Sequence, residues 1–136
     1  MDLGTAMKIA ASGMKAQSAR MRVTAENLAN VESTGQTPGT DPFRRKTLTF
    51  EGRRDRGLGG AELVDVARYG VDRSDFELRH QPGHPAADAA GYVKYPNVNA
   101  FIELMDMREA QRSYEANLSA LGVARSLQQK TIDLLR

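Results

Sequence analysis

All five prolines of this chain lie between positions 33 and 96, and both ends are free of proline. Because proline breaks helices, only the two ends can form long ones. In the N-terminal end, residues 1–31, apolar residues recur at a strict seven-residue period, at Met7, Met14, Met21 and Leu28. This period predicts a helix that packs against other helices. Asp2 is the predicted N-cap.

The C-terminal end, residues 98–136, has the same character. Its apolar residues are spaced by three, four or seven residues, and once by eleven, through Phe101, Leu104, Met107, Tyr114, Leu118, Leu121, Ile132 and Leu135. This spacing predicts a second long helix. Asn97 or Asn99 can cap its start, because both follow the turn residue Pro96.

The middle of the chain contains short runs in which apolar and polar residues alternate, separated by turns rich in glycine and proline. The runs cover residues 46–50, 62–67, 76–79 and 92–95. Alternation of this kind between turn signals predicts four short strands.

Together these predictions indicate a mainly α fold with a small β insert. We expect residues 1–32 and 97–136 to form long helices that pair antiparallel as a coiled coil, and residues 33–96 to form a middle domain rich in β-hairpins. Two helices cover only part of each other's apolar stripes, and polar residues such as Gln17 and Gln111 interrupt these stripes. We therefore expect neighbouring chains to complete the packing.

The composition excludes several classes of protein. The 19 basic and 17 acidic residues leave a net charge of +2, which is too balanced to predict nucleic-acid binding. The absence of cysteine excludes a disulfide framework, a thiolate zinc site and a cysteine nucleophile. No apolar run approaches the roughly 18 residues that span a bilayer. A cleavable signal peptide begins with a basic region that is followed by an apolar core. Here Asp2 stands in place of the basic region, and Lys8 and Lys15 interrupt the apolar core, so we expect no cleavable signal peptide.

Few residues are arranged for chemistry. Ser12 and Lys15 match the S-x-x-K pattern of penicillin-binding proteins, but the S-D-N and K-T-G partners of that pattern are missing. His80 and His84 have a spacing that suits a metal on a helix, but a Pro-Gly turn lies between them. The basic clusters at residues 44–46 and 53–56 flank a short strand, which favours a solvated hairpin or contact with an acidic partner. We expect neither an enzyme nor a bound metal or cofactor.

Three stretches near the ends carry distinctive motifs. Residues 11–17 read ASGMKAQ, residues 23–35 read VTAENLANVESTG and residues 111–118 read QRSYEANL. Together they resemble the terminal signatures of the bacterial flagellar axial proteins, the family of rod and hook subunits. In most members an aromatic-basic element follows the N-terminal motif directly, whereas here it comes after an insertion, at residues 43–46.

The insertion and two later stretches narrow the resemblance. Residues 82–88 read PGHPAAD and residues 91–99 read GYVKYPNVN. These two stretches are similar to the corresponding sequences of the proximal rod proteins within the family. Residues 52–75 match least.

The resemblance implies a structural subunit of the flagellar basal-body rod, the hollow shaft that transmits motor torque, encloses the export channel and is needed for motility. It implies several partners: other rod proteins, further copies of this chain, the adaptor between membrane ring and rod, and the type III export apparatus during transit. It also implies a place in the periplasm, reached without a cleaved signal. Neither nucleic acid nor a membrane span is implied.

The resemblance also places subunit-interface and motif residues at Ser12, Gly13, Met14, Asn27, Leu28, Asn30, Phe43, Arg44, Arg45, Tyr114, Glu115, Asn117, Leu118 and Leu121. Asn27 and Asn30 can cap backbone groups of the departing chain or of a neighbour. Gly13 suits the close approach of another backbone. We expect Glu115 and Asn117 to face a partner.

Two alternatives stay open at this point. Asn27, Asn30 and Gly13 can serve only to end or bend a helix of a monomer. The whole chain can also be a helical hairpin that grips one helix of a partner, as an export chaperone or adaptor does. A serine hydrolase built on Ser12 and Lys15 is a remote third alternative.

Overall fold

The computed structural model describes residues 2–135 and contains two long helices and four strands. In chain order the elements are α1 (Leu3–Ala29), β1 (Lys46–Asp55), a short 3-10 turn (Arg56–Leu58), β2 (Ala61–Val71), β3 (Glu77–His80), β4 (Tyr92–Tyr95) and α2 (Ala100–Leu134). The strands pair as two separate two-stranded sheets, β1 with β2 and β3 with β4. The predicted mainly α fold with a small β region is confirmed.

The first sheet extends well beyond the predicted runs 46–50 and 62–67. The residues added to β1 are largely charged, and opposite charges pair across the hairpin. Arg53 Nε lies 3.3 Å from Asp65 Oδ2, and Arg54 Nη2 lies 3.7 Å from Glu62 Oε1. Cross-strand pairs of this kind stabilise a hairpin whose sequence does not alternate between apolar and polar residues.

Both helix starts are capped close to the predicted positions. The Asp2 carbonyl accepts the first helical hydrogen bond of α1, from the N–H of Ala6 at 3.1 Å. Asn99 Oδ1 accepts hydrogen bonds from the backbone N–H of Phe101 at 3.0 Å and of Ile102 at 3.3 Å. Of the two candidate caps of α2, Asn99 is therefore the one used, because its side chain reaches the free N–H groups of the first turn.

The described chain divides into two compact units. The first comprises Met1–Met21, Leu48–Arg68 and Arg108–Arg136. Within it, Arg20 Nη2 pairs with Glu109 Oε2 at 3.2 Å, and Ser12 Oγ accepts a hydrogen bond from the Val64 N–H at 3.2 Å.

The second unit comprises Arg22–Thr47 and Tyr69–Met107. Strands β3 and β4 pair antiparallel within it, with Glu77 opposite Tyr95 and His80 opposite Tyr92. A small core forms on β4, where Val93 is fully buried beside Tyr95 and Ala86.

The helices bury small residues and leave many large ones exposed. In α1 the buried apolar residues are Ala10, Ala16, Ala19 and Val23, whereas the seven-residue series from Met7 to Leu28 is half-buried. In α2 the apolar residues Phe101, Leu104, Leu118 and Ile132 are exposed, and so is Leu135 directly after the helix. Much of the apolar stripe is thus uncovered within the chain, as expected. Neither helix in the described residues carries an apolar stretch that would cross a membrane.

Candidate assembly interface

A buried polar cluster lies in the second unit, built around the side chain of Asn27. Asn27 Oδ1 accepts a hydrogen bond from the Lys46 N–H at 2.8 Å, and Asn27 Nδ2 donates to the Lys46 carbonyl at 2.9 Å. The carboxamide thus pairs with one residue of β1 as a neighbouring strand would. Asn27 is fully buried, so these bonds replace the ones that water would otherwise make.

The second component of the cluster is Glu103, in the first turn of α2. Its side chain is fully buried, and Glu103 Oε1 accepts a charge-assisted hydrogen bond from Arg45 Nε at 2.5 Å. Its other oxygen, Oε2, accepts from Asn27 Nδ2 at 3.2 Å. A buried carboxylate is tolerable when it is paired and hydrogen-bonded in this way. The cluster therefore links the end of α1, the start of β1 and the start of α2.

Arg45 is held in place through its backbone as well as its side chain. Its N–H donates to Asn97 Oδ1 at 2.9 Å, and its carbonyl accepts from the Asp72 N–H at 2.8 Å. Asn97, the unused candidate cap of α2, also donates from Nδ2 to the Asp72 carbonyl at 3.1 Å. The guanidinium reaches two more carboxylates, Asp72 at 3.8 Å and Asp106 at 3.9 Å.

Asp72 titrates differently from an ordinary aspartate because of this setting. The N–H of Ser74 donates to Asp72 Oδ1 at 2.8 Å. This backbone hydrogen bond, a side-chain bond from Ser74 and the nearby Arg45 and Arg44 hold the pKa of Asp72 below its ordinary value, although partial burial opposes the shift.

The aromatic-basic element at residues 43–46 is consequently part of this cluster. Arg44 stacks its guanidinium 4.1 Å from the centre of the Phe76 ring and donates from Nη1 to the Asp72 carbonyl at 3.1 Å. The N–H of Phe43 donates to the Ser33 carbonyl at 2.9 Å. These bonds fix the segment that leads into β1.

Asn30 closes the end of α1. Its Nδ2 donates to the Glu26 carbonyl at 2.8 Å, and that carbonyl in the last turn of α1 also accepts from the Asn30 N–H at 3.2 Å. Its Oδ1 accepts from Ser33 Oγ at 3.0 Å. The two motif asparagines therefore differ in role, since Asn30 bonds its own helix end and Asn27 bonds a distant strand. Leu28 lies between them and is half-buried.

In the first unit, Gly13 faces the side chain of Asn117. A Cβ atom at position 13 would lie 2.9 Å from Asn117 Nδ2 and 3.0 Å from its Oδ1. The predicted close approach at Gly13 is present, but the neighbour is a side chain of the same chain and not a backbone. The Asn117 side chain packs on α1 and donates to the Ser113 carbonyl at 2.9 Å. Its contact with a partner chain stays a prediction.

The other proposed interface residues differ in exposure. Met14, Tyr114 and Leu121 are half-buried, whereas Glu115 and Leu118 are exposed. All five lie in the first unit. The exposed pair stands on the open surface of α2, so these residues are accessible to another chain.

The patterns that suggested chemistry are accounted for by structural bonds. Ser12 Oγ donates to the Ile9 carbonyl at 2.8 Å and accepts from the Val64 N–H. His84 Nδ1 accepts from the Ala86 N–H at 3.0 Å, and His80 packs edge-on against Tyr92 at a ring distance of 5.1 Å. Within residues 2–135 no group of histidine and acidic side chains is arranged to hold a metal ion.

Glu103 was missed in the sequence, and Asn97 was identified only as a candidate cap of α2. An acid in the first turn of a helix is ordinary, because it interacts favourably with the helix dipole. Nothing local distinguishes Glu103 from such a surface residue, since Arg45 lies 58 residues away in the chain. The aromatic-basic element was the one available signal, because its cations required anionic partners.

Comparisons with known proteins agree with the motifs. The family model for flagella basal body rod proteins matches residues 7–35. The model for the C-terminal part of the flagellar basal body rod FlgEFG proteins matches residues 89–134.

Relatives match the chain over nearly its whole length. The flagellar basal-body rod protein FlgC of Agrobacterium fabrum is 54% identical over 134 residues, which cover 98% of this chain and 96% of that protein. The chain belongs to the FlgC family of flagellar basal-body rod proteins. FlgC of Escherichia coli O6:H1 is 40% identical over 93% of this chain and 92% of its own length. FlgC of Aquifex aeolicus is 39% identical, with 98% and 97% covered. The protein is therefore a structural component of the basal-body rod and not an enzyme.

Proposed function

We propose that this FlgC-family chain assembles helically with other rod proteins and with copies of itself into the hollow shaft that transmits motor torque and encloses the export channel. The observation that carries this proposal is the apolar surface of α2. Four of its first six residues are large, apolar and exposed, with Phe101 exposed by 71%. Leu118, Val123 and Leu127 extend the exposed apolar residues along the helix. Apolar surface on this scale is typical of a face that neighbours cover.

The two helices are proposed to pair as an antiparallel coiled coil that forms the inner layer, with residues 33–96 outside it. Contacts within the first unit support this pairing. Gly13 lies against Asn117, and Arg20 pairs with Glu109. Residue numbers therefore increase along α1 where they decrease along α2, as expected for antiparallel helices. Ala110, Asn117 and Ala124 are seven residues apart and are buried or half-buried, which is the period of a coiled-coil seam.

The buried cluster supports a mechanical role. A shaft subunit has to keep its elements aligned under load, and polar networks whose members are all bonded fix one geometry. In the second unit Asn27, Arg45 and Glu103 connect three elements through directional bonds. An apolar contact of the same size would allow these elements to slide more easily.

Further partners follow from family membership. We propose that the chain also contacts the adaptor between the membrane ring and the rod, and passes through the type III export apparatus in transit. Its proposed location is the rod within the periplasm, reached without a cleavable signal peptide. The proposed domain boundaries for this assembly remain 1–32, 33–96 and 97–136.

The experiment is complementation of a strain that lacks the gene, scored for swimming and for rods in isolated basal bodies. Leu118→Glu places a charge on the exposed apolar face, and we expect secreted protein but no rods. Leu118→Met keeps the apolar character and nearly the volume, so it should restore swimming. A deletion strain that swims, or normal rods with Leu118→Glu, would contradict the proposal.

A further inference from the structure

The exposed residues of α1 form a single narrow stripe. Within Leu3–Ala29 the residues in the exposed class are Lys8, Ala11, Lys15, Ser18, Arg22, Ala25 and Ala29. Their spacing alternates between three and four residues without exception, which is the spacing of one helical seam. The rest of the helix surface is buried or half-buried by the chain itself.

Both flanks of this stripe are covered in the first unit. On one side the β1–β2 hairpin approaches α1, where Ser12 Oγ accepts from the Val64 N–H. On the other side α2 packs against Gly13 and pairs with Arg20. Lys8, Ala11, Lys15 and Ser18 are therefore the part of α1 that the chain leaves open.

The open stripe has one sign of charge. Its lysines stand at Lys8 and Lys15, and the sequence repeats the cation seven residues later at Arg22. None of the seven exposed residues is acidic. A helix face that is designed only for water usually mixes both signs, since opposite charges one turn apart stabilise the helix and like charges do not. A cationic series at heptad spacing therefore favours contact with an anionic surface of the same period.

The chain cannot supply that surface from a second copy of its own helices. The acidic residues of α2 are Glu103, Asp106, Glu109, Glu115 and Asp133, and no two of them are seven residues apart. α1 contains a single acid, Glu26, which pairs with Lys46. The helices of a second copy therefore lack carboxylates at the complementary seven-residue spacing.

We infer that the Lys8–Lys15 stripe of α1 docks an acidic helix of a different protein, one that carries carboxylates at seven-residue spacing. The inference rests on the proposed assembly role and specifies the chemistry of one partner. The small residues between the cations, Ala11 and Ser18, allow the partner's backbone to come close. Complementary charge then sets its register and excludes basic or neutral helices.

The test uses the full chain in assembled basal bodies, with a photo-crosslinking amino acid in place of Ser18. We expect a cross-link to a helix of another protein with acids seven residues apart near the linked position. A cross-link to a second copy of this chain, or to a helix without such acids, would overturn the inference. So would a basal body that yields no cross-link at this position while a linker in place of Leu118 reacts.

Charge reversal provides a second measurement. Lys8→Glu combined with Lys15→Glu should reduce the number of rods by about tenfold or more, because like charges would then face each other. The matched control is Lys130→Glu on α2, an exposed lysine outside the stripe, and Lys8→Arg with Lys15→Arg keeps both cations. Equal rod counts for the reversed and control chains would overturn the inference.

Three further readouts keep the outcomes distinct. Helix content by circular dichroism should match between the reversed and wild-type chains, since all the changed residues are exposed. Vesicles of anionic phosphatidylglycerol test a lipid source of the negative charge, and binding that depends on Lys8 and Lys15 would overturn the protein partner. If the wild-type chain never enters basal bodies, the proposed function is wrong. If wild-type rods form and the reversed chain forms equally many, only the inference about Lys8 and Lys15 is wrong.

Discussion

Asn27 and Lys46 lie 19 residues apart and exchange two hydrogen bonds, one in each direction between the Asn27 carboxamide and the Lys46 backbone. This pairing fixes how the chain leaves α1 and returns as β1. It also orients Asn27 Nδ2 toward the buried carboxylate of Glu103. One side chain thus satisfies groups on two other elements, which explains why a carboxamide, with a donor and an acceptor, is suited to this position.

Replacing Asn27 with Asp should destabilise the second unit strongly. The shape is nearly unchanged, but the donor becomes an oxygen that faces the Lys46 carbonyl and Glu103 Oε2. We expect a loss of about 2–4 kcal/mol in the free energy of unfolding, because a buried acceptor and a buried charge are left unpaired. Denaturant unfolding followed by circular dichroism measures this loss. Asn30→Asp is the control, and equal losses for both variants would refute the role of Asn27.

The Arg45–Glu103 pair should behave as a coupled unit. Arg45→Gln leaves the fully buried Glu103 carboxylate without its cation, and we expect a cost of roughly 3–5 kcal/mol in unfolding free energy. Glu103→Gln added to Arg45→Gln removes the buried charge and should recover part of that loss. Additive losses in this double-mutant cycle would show that the two side chains do not interact.

The effects of substitutions at Gly13 and Asn117 on stability should also be coupled, because the two residues pack closely and not because they carry charge. Alanine is favoured over glycine in a helix by roughly 1 kcal/mol, yet a Cβ at position 13 would crowd the Asn117 carboxamide at 2.9 Å. We therefore expect little or no net gain from Gly13→Ala alone. In an Asn117→Ala background the same change should stabilise the chain by about 1 kcal/mol, as thermal unfolding would measure. An equal effect in both backgrounds would contradict this contact.

The elements that could be predicted from the sequence are those set by local periodicity. Helix α2 begins beside Asn99 because its cap and its apolar spacing are both local signals, and β4 was predicted at its observed bounds for the same reason. The extra length of β1 and β2 was missed, because cross-strand pairs such as Arg53 with Asp65 form only in the hairpin and leave no alternation of apolar and polar residues in the sequence.

The candidate site was predictable only in part, for a related reason. Asn27 and Asn30 were identified through motifs, yet their different roles depend on which backbone groups the tertiary structure brings near each one. Asn117 was assigned to a partner because the apolar seam of α2 was taken as its contact face within the chain. The structure instead packs the Asn117 side chain against Gly13 of α1, a small residue that hydrophobic spacing does not detect.

Ser12 provides a test of a bond that the sequence did not indicate. Its hydroxyl accepts from the Val64 N–H, so Ser12→Ala should leave that amide to water and speed its hydrogen exchange. We expect a stability cost of at most about 1 kcal/mol, since Val64 is 40% exposed, and we expect swimming to persist. A non-motile Ser12→Ala strain would revive a chemical role for the hydroxyl. Unchanged exchange at Val64 would argue against the bond.

Acid should weaken the second unit through Asp72. Its pKa in the folded chain lies below the ordinary value of 3.8, first because of the Ser74 backbone hydrogen bond. A carboxyl group whose pKa is lower in the folded chain than in the unfolded chain stabilises the fold at pH values above the unfolded pKa. This stabilisation is lost as the pH falls through the folded pKa. Stability should therefore decline below about pH 4 more steeply in the wild type than in Asp72→Asn, which keeps the acceptor oxygen but not the charge. Unfolding curves of both chains between pH 7 and pH 2 measure the difference, and parallel curves would show that Asp72 ionises alike in the folded and unfolded chain.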